Sequence, residues 1–210
     1  MRNQEHSEWT GRRGTIAGLL LGNRLYRLAE ELAFGPAVSA VLKKVAGIIG
    51  GDETILDVGC GSGGLSLPLA RKLEGGRVIC LDLSDEMLAR LKSRALKAGL
   101  ENRIHIVKGP ASRSGLEGDS VDIAVSNNVF HELDEPRQAL AEQLRVLKPG
   151  GHLIISDFRR TRVVKIMTAR HHPGHVAYEA REVESLLREA GFGDIEVKTN
   201  RHRLLAHASK

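Results

Sequence analysis

The stretch of this sequence best suited to chemistry is Ile55-Leu56-Asp57-Val58-Gly59-Cys60-Gly61-Ser62-Gly63-Gly64, an apolar run that enters a glycine-rich turn. Residues without a Cβ let a backbone turn sharply and approach a ligand closely, and a helix starting behind them offers unpaired N–H groups. Asp57, at the strand end, makes such a loop less welcoming to a phosphate and more welcoming to a cationic or hydroxyl-bearing ligand. Gly59, Gly61 and Gly64 also satisfy the dinucleotide pattern, which expects an acid after the next strand to hold a ribose, and Asp82 stands there. The pattern alone does not discriminate between these ligands.

Further along, His131 is the best single candidate for a general base, because its ordinary pKa lies near working pH. The competing reading is a packing or ligand-lining histidine. Asp157 is a second base, an acceptor-orienting group or a cap. Beyond it, Phe158 to Tyr178 carries Arg159, Arg160, Arg162, Lys165 and Arg170 with no acid, a positive run that matches the net charge of +5. Guanidinium groups recognise carboxylates and phosphates, so this run suggests an anionic substrate held by Arg159 and Arg162, with Tyr178 lining the same pocket. The bland alternative is a solvated helix face. His171, His172 and His175 have no thiolate or carboxylate beside them, and no metal site is assigned there.

The elements that must position these residues follow from hydrophobic periodicity. From Ile16 to Ile49 apolar positions recur at three and four, predicting two amphipathic helices broken near Gly35-Pro36. Strands are expected at Thr54–Val58, Arg77–Asp82, Arg103–Lys108, Val121–Ser126 and His152–Asp157, alternating with helical segments in the rhythm of a parallel sheet covered on both faces. A helix from Glu179 to Ala190, stopped by Gly191, precedes two short strands at Ile195–Thr199 and Leu204–His207. The fold class is therefore α/β, doubly wound. Residues 1–50 read as an arm and helical lid, and residues 51–210 as one domain.

With these motifs in place, the sequence resembles the class I S-adenosylmethionine-dependent methyltransferases, in their small-molecule, type 11-like branch. The resemblance runs from about Leu56 to Phe192. It is carried by the loop Asp57 to Gly63, by Asp82-Leu83-Ser84, by Asn127-Asn128-Val129-Phe130-His131, by Leu147-Lys148-Pro149-Gly150-Gly151 and by Glu189-Ala190-Gly191-Phe192. It implies a Rossmann-like, mostly parallel seven-stranded sheet with an antiparallel last strand, and S-adenosyl-L-methionine as cofactor. By the same resemblance, Gly59 and Gly61 pass their backbone along the methionine part and Asp57 organises its ammonium, directly or through water. Cys60 and Gly63 complete the loop, Asp82 accepts the ribose hydroxyls, Leu83 and Met87 pack on the adenine, and Asn127 faces the methionine end. After the third strand the family often has an acid before a small residue, whereas this sequence has Gly109-Pro110-Ala111. Proline brings neither carboxylate nor N–H, so adenine recognition at Pro110 and Ala111 must use carbonyls, water or another side chain.

Composition bounds the rest. The 210 residues, 41% hydrophobic and 27% charged, suit one globular domain with a real core. No apolar run approaches the roughly 18 to 20 residues of a membrane span, and two cysteines, Cys60 and Cys80, make no disulfide framework. A cytoplasmic protein, monomer or homodimer, is expected. Aromatics at 3% offer few stacking platforms for nucleic acid. The expected activity is in-line methyl transfer to a small, anionic metabolite; the alternatives are RNA or protein methylation, or a catalytically silent binder of the cofactor.

Overall fold

The computed structural model describes residues 35–161 and 177–210. The N-terminal arm, the first of the two expected N-terminal helices, Arg162 and the histidines at 171, 172 and 175 lie outside these residues.

A helix α1 over residues 35–46 leads into β1 (Thr54–Val58), α2 (Ser66–Lys72), β2 (Arg77–Asp82), α3 (Asp85–Lys97), β3 (Ile104–Lys108), β4 (Val121–Asn127), α4 (Pro136–Val146), β5 (Leu147–Phe158), α5 (Ala180–Ala190), β6 (Gly193–Thr199) and β7 (Arg203–Ser209). The seven strands form one sheet in the order β3-β2-β1-β4-β5-β7-β6. Five run parallel through β3, β2, β1, β4 and β5, and β7 is antiparallel to both of its neighbours. The chain thus winds outward from β1 in one direction and from β4 in the other. At that reversal the connections diverge to opposite faces, leaving a crevice beyond the carboxyl ends of β1 and β4.

Two apolar clusters sandwich the sheet. On one face Val41 and Val45 of α1, Leu67 and Leu69 of α2 and Leu88 and Leu91 of α3 meet Ile55, Val78 and Ile154. On the other, Leu140 and Val146 of α4 and Val183 and Leu187 of α5 meet Leu56, Ala124, Leu153 and Ile155. Burying each of these aliphatic side chains contributes roughly 1.5 to 3 kcal/mol, and the short central strand β1 is buried at every position after Thr54.

Helix ends set the geometry near the crevice. The Ser84 side chain caps α3 by accepting from Met87 N at 3.3 Å, with Asp85 and Glu86 in the first turn, so the helix begins directly behind Asp82. At α5, Glu179 and Glu182 form a reciprocal capping box and Gly191, at φ 100°, ends the helix. Gly35 and Pro36 stand in the first described turn of α1, where proline is tolerated. The fifth strand, expected to start at His152, begins already at Leu147, so the Lys148-Pro149-Gly150-Gly151 stretch is part of β5. Leu147 pairs with Val121 of β4, and Gly150 and Gly151 exchange backbone bonds with Lys210.

Candidate functional site

The glycine loop leaves β1 and folds against β2: Gly59 N and Cys60 N both donate to Leu81 O, at 2.8 and 3.1 Å. At Gly59 φ is +69°, and a Cβ would overlap the side chain of Val129, which follows β4. Only a glycine brings the two crevice walls this close. Gly61, at φ +51°, borders open space. Its N–H donates to Asp82 Oδ2 at 2.8 Å, while Ser84 N donates to Asp82 Oδ1 at 2.9 Å. Asp82 is thereby locked across the mouth of the loop with acceptor capacity left on both oxygens.

Around this carboxylate the pieces of a nucleoside site come together. Leu83 is 61% exposed beside it, and Met87 is half-buried in the first turn of α3. Gly109 N donates to Asp82 O, which draws the half-buried Pro110 and Ala111 against the end of β2. At the end of β4, Asn127 Oδ1 is buried with no hydrogen-bond partner among the described residues. Such an atom is costly unless a ligand or water supplies the missing donor.

Asp57 and Cys60 sit deeper. Asp57 is 2% exposed and accepts from Ser66 Oγ at 2.5 Å, so its carboxyl is packed against α2. Burial pushes its pKa up to about 7, opposed by the Ser66 bond and assisted by the charge of Asp82. The Cys60 thiol is pushed far above its ordinary range by its hydrogen bond with Cys80 and by burial, which leaves it a small inert side chain.

On the β4–β5 side, His131 follows β4 within a short 3-10 turn (Phe130–Glu132). Its Nδ1 lies 2.7 Å from Asp157 Oδ1 and its backbone N donates to Asp157 Oδ2 at 3.0 Å. Phe158 N also donates to Asp157, which is 2% exposed. The carboxylate therefore fixes both the ring and the turn that carries it, and places the imidazole proton on Nδ1. Nε2 lies 3.7 Å from Glu132 Oε1. Burial works to lower the pKa of His131, but the hydrogen bond and charge of Asp157, joined by Glu132, raise it overall. Tyr178 packs on Phe130, next to His131, with ring centroids 5.0 Å apart and planes tilted by 52°.

The basic run is not single-signed in the folded chain. Arg159 donates to Glu179 at 3.2 Å, and Arg160 takes both oxygens of Glu182 at 2.9 and 2.7 Å. The acids that begin α5 are distant in sequence from Arg159 and Arg160 but adjacent in space, so the expectation of an uncompensated positive rim at Arg159 is corrected. A different arginine stands at this edge. Arg203, opposite Phe158 in the β5–β7 register, lies 4.8 Å over the Phe158 ring and bonds Asn128 and Ser156. Sequence alone offered no signal for it beyond a polar residue opening an apolar strand.

A family model described as a methyltransferase domain matches residues 56–155. A demethylmenaquinone methyltransferase of Clavibacter sepedonicus is 36% identical over 141 residues, covering 67% of this chain and 50% of that protein. A malonyl-acyl-carrier-protein O-methyltransferase of Methylococcus capsulatus is 32% identical, covering 68% of this chain and 53% of the relative. The chain spans about a third to a half of the length of the curated relatives it matches. Among solved structures, an S-adenosylmethionine-dependent methyltransferase from Aquifex aeolicus is 27% identical with a TM-score of 0.65, covering 80% of this chain and 88% of the other. Since the matched span holds the glycine loop, Asp82 and the whole end of β4, the similarity falls on the site itself, and the chain belongs to the class I S-adenosylmethionine-dependent methyltransferases.

Proposed function

We propose that the chain transfers a methyl group from S-adenosylmethionine to a small acceptor entering at the carboxyl end of β4 and β5. The observation that carries this reading is the Asp82 carboxylate, fixed by Gly61 N and Ser84 N across the open side of a glycine loop. The residues present fit the donor. Asp82 would accept the ribose hydroxyls, Leu83, Met87, Pro110 and Ala111 would frame the adenine, and Asn127 Oδ1 would gain its missing partner at the methionine end. Gly59, Gly61 and Gly63 would let the backbone follow the ligand, with Cys60 as filler. Asp57, buried behind the loop, would act on the ligand's ammonium through the field it sets there.

When bound, the donor supplies a methyl on a sulfonium that leaves as the sulfur recovers its bonding pair. The chain supplies alignment, water exclusion and, for an acceptor that carries its proton into the reaction, a base. His131 takes that proton on Nε2, and Asp157 holds the ring in the required tautomer and stabilises the imidazolium. Tyr178, packed on Phe130, lines the acceptor side. The acceptor we favour is a small anionic molecule, because Arg203 adds positive charge at this edge. The two relatives are named for acceptors as different as demethylmenaquinone and a malonyl carrier protein, so their names do not choose one. Among the described residues no helix is long and apolar enough to cross a membrane.

A second reading, a protein that holds the donor without transferring from it, is favoured by one observation: Pro110 stands where the family often has an acid. Thermal unfolding with S-adenosylhomocysteine, NAD and NADP in parallel tests the donor. At a hundred times its dissociation constant a ligand adds roughly 2.7 kcal/mol, on the order of 5 to 10 °C for a domain of this size. The expected result is a shift with the sulfur nucleoside alone, lost in Asp82→Ala. A shift with NAD, or none with any ligand, would overturn the reading. Donor binding without transfer to any of a panel of small acceptors, RNA and protein would favour the silent one.

A further inference from the structure

Arg203 is a half-buried cation with no carboxylate at ion-pair distance among the described residues. Its Nη2 donates to Asn128 Oδ1 and, at 3.2 Å, to Ser156 Oγ, while its Nε and Nη1 donate to no described group. Of the described arginines at this end of the sheet, Arg159 and Arg160 are neutralised by Glu179 and Glu182. Taking a guanidinium partly out of water without a paired anion is unfavourable, and the fold nevertheless fixes it there.

Three groups do the holding. Phe158 lies under the guanidinium, with its centroid 4.8 Å from Cζ. Asn128, the residue after β4, adopts a left-handed φ of +60°, a conformation asparagine enters more readily than most non-glycine residues, and its side-chain oxygen accepts from Arg203. Asn128 N in turn donates to Ser156 O at 2.8 Å, so this residue is pinned to β5. The other edge of the Phe158 ring meets the His131 imidazole, centroids 5.4 Å apart and nearly perpendicular. One aromatic ring therefore separates the cation from the proposed base, and the two share the crevice at the strand ends.

We propose that Arg203 is the anchor for a carboxylate or phosphate group of the acceptor, held by Asn128, Ser156 and Phe158 so that Nε and Nη1 present their N–H groups toward the crevice. This rests on the methyl-transfer reading above and names the substrate class for it. Charge-assisted bonds from a preoriented guanidinium give both affinity and direction. An anion placed there would keep the rest of a small acceptor within reach of His131. Burial lowers the guanidinium's pKa below its ordinary value, only partly offset by the charge of Asp157; a bound anion would reverse that penalty.

The test is a titration of the full-length chain, with and without S-adenosylhomocysteine, using phenyl phosphate, benzoate and uncharged benzyl alcohol at matched ionic strength. The readout is the NMR signal of the arginine Nε–H groups, with Arg203 assigned by its loss in Arg203→Lys. The expected result is a saturable displacement of the Arg203 signal by phenyl phosphate or by benzoate and none by benzyl alcohol; the tighter of the two anions distinguishes phosphate from carboxylate. Arg203→Met should weaken that binding by at least about tenfold while leaving the affinity for S-adenosylhomocysteine within about threefold of the parent. No saturable displacement by either anion, or equal anion binding by Arg203→Met, overturns the proposal. Should Arg203→Met fail to fold, the signal of the parent chain decides. Failure of S-adenosylhomocysteine to bind the parent chain counts against the donor reading instead, and the titration without it still judges Arg203.

Discussion

His131 presents its Nδ1 to a carboxylate almost removed from water, and that arrangement sets the direction of its titration. Burial alone would lower the pKa, but the Asp157 bond and charge, with Glu132, outweigh it and bring it above the ordinary 6.5. The neutral, proton-accepting form therefore accumulates only as pH rises past that value. An NMR titration of the His131 ring should give a midpoint above 6.5, and Asp157→Asn should move it down, because the charge is lost while burial stays. Turnover, once an acceptor is in hand, should follow the same alkaline-rising limb and fall about a hundredfold in Asp157→Asn. An unmoved midpoint in the variant would show that Asp157 neither orients nor charges the imidazole.

The glycine loop acts as an element, and its first two glycines do different work. At Gly59 a side chain would meet Val129, so Gly59→Ala combines a left-handed backbone with a clash between the walls of the crevice. We expect a loss of roughly 2 to 4 kcal/mol in urea unfolding. Gly61 faces open space at a similar φ, so Gly61→Ala should cost only about 1 to 2 kcal/mol of backbone strain. Its methyl group would stand where the loop approaches the donor, and calorimetry should find S-adenosylhomocysteine binding at least about tenfold weaker in a chain that still melts cooperatively. Full affinity in Gly61→Ala would mean that the donor does not lie along this loop. The start of α5 is a second element with a local electrostatic role, since Glu179 and Glu182 cap the helix and also quench Arg159 and Arg160. Arg203 is left as the cation without an acid at this edge among the described residues.

Across the whole molecule, Asp57 links stability to pH. Its folded pKa of about 7 lies above its ordinary 3.8, so the folded chain binds this proton more tightly than the unfolded one. Its contribution is fully present below the unfolded value and is lost as pH rises through the folded value, an effect on the order of 2 to 4 kcal/mol. His131, also raised, has the same sign over a higher window beginning at its ordinary 6.5. Asp57→Asn removes the first part. Urea unfolding between about pH 4 and pH 8 should show a shallower decline in the variant than in the parent, and identical slopes would disprove the assignment. The cationic donor should favour ionised Asp57, so donor binding near neutral pH should release protons, measurable by calorimetry in buffers of different ionisation enthalpy.

The strands, the helices and the donor loop are legible in the sequence because each is written in contiguous residues. Apolar alternation and runs mark the strands closely, apart from the beginning of β5 at Leu147; Ser84 and Gly191 are real helix ends, and the spacing from Gly59 to Asp82 already joins loop and acid. The pairing of His131 with Asp157 is only half legible: both residues stand out, but their 2.7 Å contact depends on β4 and β5 being neighbours. Groups whose partners come from distant segments acquire their character only on folding. Assembly of the sheet gives Arg159 and Arg160 their acids from α5, turns Asp57 inward onto Ser66, and brings Arg203 from β7 over Phe158 and beside Asn128. Local propensity is encoded over a few residues, whereas the sign of a charged site depends on every chain segment folded against it, and those segments meet only in the tertiary structure.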